Sequence, residues 1–204
     1  MDKNTLERIS RTFEDGIYPA GFLRGYETLE CLSASKDTET LLVKSRDSGF
    51  LYIAKCYYSG SPLFSRTESD SIRGISHPML PHFVEEFSNE ETRCILREYI
   101  PGQTLDGYCA ARTLNENEVR DIALQLCDQL QYLHSLTPPV IHRDIKPQNV
   151  MISLDGGVKV ADFGIAYLEN ALDSAAATAV GSVHYISPEQ AKGQGSDARS
   201  DIYS

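Results

Sequence analysis

Between Tyr26 and Tyr57 short strand-like runs alternate with turns. Thr40-Leu41-Leu42-Val43-Lys44, a polar Ser45–Gly49 turn and Phe50-Leu51-Tyr52-Ile53-Ala54-Lys55 read as an antiparallel pair. Cys94–Tyr99 reads as a further strand, ended by Pro101-Gly102. Before these runs, residues 1–25 are polar, with a weak helical pattern in Leu6, Ile9 and Phe13 followed by Gly16, Pro19, Gly21 and Gly25. They predict a short helix or tail and then a linker. The pattern changes period between Leu114 and Ser135, where Val119, Ile122, Ala123, Leu126, Leu130 and Leu133 line one face of a helix. Thr113 with Glu116 predicts a capping box at its start, the apolar stripe predicts a core face, and Pro138-Pro139 ends it. Val150–Ser153 and Val158–Val160 flank Leu154-Asp155-Gly156-Gly157 and predict a hairpin, while the Ala-rich stretch Ala171–Ala179 predicts a mobile loop. The plan is α+β: a strand-rich first half, residues 26–100, and a helical second half, residues 101–204.

Composition narrows function by exclusion. At 204 residues and 41% hydrophobic, the chain can form one sizeable core or two small lobes. Its net charge of −10 argues against nucleic-acid binding, which needs clustered Lys and Arg. Five scattered cysteines without a Cys-x-x-Cys pair argue against a disulfide framework or structural zinc. They predict reduced thiols and a cytoplasmic setting, with Cys56 a buried, inert thiol. Neither a signal peptide nor an apolar run able to span a bilayer is present in these residues.

The hairpin carries the chemistry. Asn149 precedes its first strand and Asp162 follows its second, at positions symmetric about Asp155-Gly156, so pairing brings them to the same end. An amide oxygen and a carboxylate there suit a hard cation such as Mg²⁺, which keeps water and phosphate ligands. Asp144 lies on the loop that enters this corner, with Lys146 between it and Asn149. Asp144 is then placed to accept a proton from a hydroxyl, and Lys146 to neutralise a migrating phosphoryl group.

His142-Arg143-Asp144-Ile145-Lys146-Pro147-Gln148-Asn149, followed by Asp162-Phe163-Gly164, resembles the catalytic loop and metal-binding motif of eukaryotic-type protein kinases. The resemblance implies a two-lobed kinase-like fold, a small strand-rich N-lobe and an incomplete helical C-lobe. It implies ATP and Mg as cofactors and Ser/Thr hydroxyls of a protein as substrate. Asp144 becomes the base, Lys146 the contact to the γ-phosphate, Asn149 and Asp162 the Mg²⁺ ligands, and His142 a structural residue. Tyr52-Ile53-Ala54-Lys55 resembles the third-strand lysine motif, which assigns Lys55 to the α- and β-phosphates. Glu68, before His77-Pro78, resembles the helix glutamate that holds this lysine. Glu98-Tyr99-Ile100 resembles the hinge that binds adenine through its backbone. Gly181 through Glu189 resembles the end of an activation segment, with Ser182 bonding the catalytic loop and Ser187-Pro188-Glu189 replacing Ala-Pro-Glu. Asp201 resembles the aspartate that fixes the catalytic-loop backbone. A phosphate on Thr178, with Ser174 as competitor, would pair with Arg143. Lys146 points to the serine/threonine branch, and the wording of Gly181–Gln190 to bacterial signalling kinases.

Departures from the family raise a pseudokinase scaffold as the rival. Aligned on Lys55, the positions of the family's glycine-rich loop are Ser33, Ser35 and Thr38, with Thr40 at the following valine position. Serine hydroxyls there would replace part of the lost phosphate bonding, so weakened rather than abolished ATP affinity is expected. Glu68 lies thirteen positions after Lys55, which predicts a short intervening helix. Arg97 precedes the hinge, where it would either pair with Glu68 or snorkel to water. The resemblance stops at Ser204, where the family's central helix would begin. Residues 1–204 alone are therefore expected to fold poorly or turn over little, with Leu126, Leu130 and Leu133 short of cover. The metal ligands favour the enzyme, since a pure scaffold has no evident use for them.

Overall fold

A computed structural model describes residues 17–61, 64, 73–162 and 184–204, and the backbone of 167–168. The pattern in Leu6, Ile9 and Phe13, Glu68 with its expected helix, Gly164, the 171–179 stretch with Ser174 and Thr178, and Ser182 lie outside the described residues. The chain divides into two compact units, Met1–Ser69 with His82–Tyr99 and Asp70–Pro81 with Ile100–Ser204.

The first unit is built on an antiparallel sheet of five strands: β1 (Tyr26–Ala34), β2 (Thr38–Ser45), β3 (Leu51–Tyr58), β4 (Phe83–Ser88) and β5 (Thr92–Glu98). Their order is β1-β2-β3-β5-β4. Alternation along β2 turns Glu39, Leu41 and Val43 to the buried side, beside Ala54 and Cys56 of β3. The stretch read as a linker is instead a helix over part of its length. Helix α1 (Ala20–Gly25) lays Phe22 onto this face between Tyr18 and Tyr26. The reason is a four-residue spacing of aromatic side chains, which gives a short helix one apolar side. Gly21 belongs to this contact, because a Cβ there would stand 2.8 Å from the Phe87 ring. Arg97 is 5% exposed, so the snorkelling reading does not hold.

In the second unit, α2 (Leu105–Ala111) and α3 (Glu116–Ser135) accompany a sheet of β6 (Gly102–Thr104), β8 (Val150–Ser153) and β9 (Val158–Val160). Strand β7 (Val140–Ile141) pairs with β10 (Tyr167–Leu168), and two short helices follow, α4 (Pro188–Ala191) and α5 (Ala198–Tyr203). The cap of α3 is Asn115 rather than Thr113: its side chain accepts from Glu118 N at 3.1 Å, and Glu118 Oε2 accepts from Asn115 N at 2.9 Å. Asparagine caps at least as well as threonine, and it too has a glutamate three residues on. The expected stripe is core only in part. Leu130 and Leu133 are buried, so they do not lack cover, whereas Val119 is 52% exposed and Ala123 is exposed as well. Ile122 and Leu126 pack against the cluster of Val150, Ile152 and Val158.

Among the described residues, no helix is long and apolar enough to cross a membrane.

Candidate active site

Hairpin β8–β9 forms where expected, with a small shift in register. Val150 faces Val160, and Ala161 N donates to Asn149 O at 2.8 Å, so Asn149 stands opposite Ala161 with Asp162 one residue beyond. The cause is a three-residue turn, Leu154-Asp155-Gly156, closed by Ser153 N on Gly157 O at 2.9 Å, with Gly156 at φ +85°. Asp162 adopts φ +59°, turning the chain at the strand end.

Two glutamines of α3 hold this hairpin and were not anticipated. Gln129, fully buried, donates to Val158 O and accepts from Val160 N, at 2.9 and 2.8 Å, while Gln125 accepts from Val158 N at 3.0 Å. Side-chain amides thus complete the open edge of β9 in place of a further strand. Their signal in the sequence is a polar pair at i, i+4 beside an apolar stripe.

Strand β7 delivers His142, which is fully buried. Asp144 N donates to His142 Nδ1 at 3.3 Å, so the other ring nitrogen, Nε2, carries the proton and donates to Ala161 O at 3.1 Å. Burial lowers the pKa of the imidazole, which fits this neutral tautomer. The buried carboxylate of Asp201, on α5, accepts from His142 N at 2.8 Å and Arg143 N at 2.7 Å. His134 of α3, another residue the sequence reading passed over, meets the same carboxylate at 2.8 Å.

The corner closes on Asp144. Its Oδ2 lies 2.7 Å from Lys146 Nζ and accepts from Asn149 Nδ2 at 2.8 Å, and its carbonyl accepts from the same Nδ2 at 2.9 Å. Asn149 sits at the end of a short 3₁₀ turn, Pro147–Asn149, whose proline supplies the required φ. With Nδ2 committed to Asp144, Asn149 keeps Oδ1 as the atom that could serve a metal. Asp162 lies one residue past its strand partner. Asn149 and Asp162 are an amide and a carboxylate, oxygen donors of the kind Mg²⁺ takes, and among the described residues there is no group of three or more His, Cys, Asp or Glu that could hold a metal. Glu189, in α4, accepts from Ser200 Oγ at 2.5 Å, and this bond lowers its pKa.

In the first unit, Lys55 stands on β3 opposite Thr40 and Ile95, its Nζ 5.8 Å from the Tyr57 ring centre. Ser33, at the end of β1, faces Thr40. The Ser35 hydroxyl is engaged inside the β1–β2 turn, where its Oγ accepts from Asp37 N and Thr38 N at 3.2 and 3.1 Å and donates to Thr38 O at 3.1 Å. Backbone amides that a glycine-rich turn would offer to a phosphate are spent on a serine here. Glu98 ends β5, donating its N–H to His82 O at 3.0 Å and accepting from His82 N at 3.3 Å through Oε2. Ile100, buried in the second unit, follows it by two residues.

Comparison with known proteins brings these features together. The protein kinase domain family matches residues 43–204. A probable serine/threonine-protein kinase PknB of Bifidobacterium longum is 40% identical over 74% of this chain and 20% of its own length. Serine/threonine-protein kinase PrkC of Bacillus subtilis is 37% identical over 68% of this chain and 21% of its own. Serine/threonine-protein kinase Nek11 of Mus musculus is 33% identical over 69% and 23%. The chain spans about a fifth of the length of the curated relatives it matches.

Proposed function

The chain belongs to the protein kinase domain family, and on that premise we propose that it transfers the γ-phosphate of ATP to serine or threonine hydroxyls of a protein substrate. The observation that carries this reading is the Asp144 carboxylate, held 2.7 Å from Lys146 Nζ and 2.8 Å from Asn149 Nδ2 at the open end of a hairpin. Asp144 accepts the proton of the attacking hydroxyl as its oxygen bonds the γ-phosphorus and the bond to the β-phosphate oxygen breaks. Lys146 offsets charge on the migrating group. Asn149 Oδ1 and the Asp162 carboxylate would hold Mg²⁺, which would supply neutralisation of the phosphate charge. Lys55 binds the α- and β-phosphates and is held by Glu68, and the backbone of Glu98 and Ile100 binds adenine. Asp201 and His142 keep the loop in shape. Gly164, Thr178, Ser182 and Glu189 belong to the activation segment, where a phosphate on Thr178 pairs with Arg143.

A second reading, a nucleotide-binding scaffold without transfer, is favoured by one observation: Ser35 Oγ takes the Asp37 and Thr38 amides. Phosphoryl transfer by the full-length chain separates the two. Asp144→Asn is expected to slow transfer by about 10²–10⁴-fold with nucleotide binding retained. Nucleotide bound by the unmodified chain with no phosphoprotein formed would select the scaffold.

A further inference from the structure

The peptide that joins Arg143 to Asp144 is pinned at both of its polar atoms. Its N–H, on Asp144, donates to His142 Nδ1 at 3.3 Å, and its carbonyl, on Arg143, accepts from Gln190 Nε2 at 2.9 Å. Arg143 has φ 69°, in the left-handed region that side chains other than glycine's avoid. Relaxing that angle swings the Arg143 carbonyl about the N–Cα bond and carries Asp144 with it. A bond to this carbonyl therefore resists the loop's easiest escape from its strained shape.

Gln190 is 2% exposed, and the other end of its carboxamide is fixed: Oε1 accepts from Ser187 N at 3.2 Å and lies 2.9 Å from Ser187 Oγ. This is a capping box at the start of α4. Glutamate serves as well as glutamine in such a box, because only an acceptor is needed there. The amide nitrogen is surplus to the cap, and it is spent on Arg143. On the other side of the same residue, Asp201 Oδ1 accepts from Arg143 N at 2.7 Å, and α4 and α5 are joined through Ser200 Oγ and Glu189 Oε1 at 2.5 Å.

We propose that Gln190 is a positioning residue: its carboxamide fixes the Arg143 carbonyl, and thereby Asp144, and ties the turn at Ser187–Ala191 to the catalytic loop. The bond acts whatever the protein does; only its catalytic consequence rests on the kinase reading.

Gln190→Glu keeps the size and the acceptor for Ser187 but removes the donor to Arg143, and Gln190→Met removes both. In the full-length chain, well below the melting temperature, each is expected to lower kcat for phosphoryl transfer by about tenfold or more, the factor one well-formed buried hydrogen bond represents. KM for ATP is expected to stay within about twofold, and amide exchange over His142–Lys146 to quicken. A lowered melting temperature with kcat and exchange unchanged would make Gln190 a structural residue only and overturn the proposal. If Gln190→Met fails to fold, Gln190→Glu decides alone. Should the unmodified chain transfer no phosphate, the kinase reading falls, and exchange still decides: quickened exchange upholds the clamp, unchanged exchange removes it.

Discussion

Glu39 is a carboxylate at a position that alternation assigns to the interior, in the row of Leu41 and Val43. Tyr18 donates its hydroxyl to Oε1, and burial raises the Glu39 pKa above its ordinary 4.5. The folded chain therefore holds this proton at pH values where the unfolded chain has released it. The associated stability is complete below 4.5 and is lost as pH rises through the raised value. Glu39→Gln keeps an acceptor for Tyr18 and carries no charge. Its melting temperature relative to the parent is expected to climb as pH increases from about 4.5 towards neutrality, then level off. A difference independent of pH across that range would contradict the buried carboxylate. Burial at this position was legible in the period of β2; the tyrosine that meets it, twenty-one residues earlier, was not.

At the scale of elements, the hairpin that presents Asn149 and Asp162 depends on α3 through Gln129. Replacing Gln129 by leucine preserves an apolar fit but strands Val158 O and Val160 N, each at a cost of about 1–3 kcal/mol. Urea denaturation is expected to show Gln129→Leu destabilised by at least about 2 kcal/mol, against a small change for a substitution at exposed Leu124. Parity between the two would mean that the β9 edge finds other partners. The hairpin's strands could be read from residue types alone. Its register could not, because a three-residue turn and the anticipated one differ by a single position and only the Gly156 backbone distinguishes them. The cap at Asn115 shows a similar competition, with two capping signals two positions apart and one start to the helix.

Over the whole molecule, the residues assigned to nucleotide fall in both units, Lys55 in one and Asp162 in the other. If both serve one nucleotide, Lys55→Ala is expected to weaken ATP binding with and without Mg²⁺, by roughly tenfold, the worth of a charge-assisted bond. Asp162→Asn is expected to act differently, shrinking the gain in affinity that Mg²⁺ confers and leaving metal-free binding near its original value. Titration of a fluorescent nucleotide with and without Mg²⁺ measures both, and identical responses from the two variants would count against separate roles. With a net charge of −10, the chain has no general attraction for an anionic nucleotide, so the proposed binding would rest on local cations such as Lys55.

The sequence by itself determined the family, the strand-rich and helical halves, and the set of side chains around Asp144, because these follow from residue types at short, fixed spacings. Folding decided what depends on distant partners: the helix at Ala20–Gly25, the tyrosine that meets Glu39, the burial of Arg97, the edge-completing glutamines, and the hold of Gln190 on Arg143. Local spacing records which groups can bond. A polar group taken out of water must still find a partner, and which one it meets is settled only when separate segments are packed together.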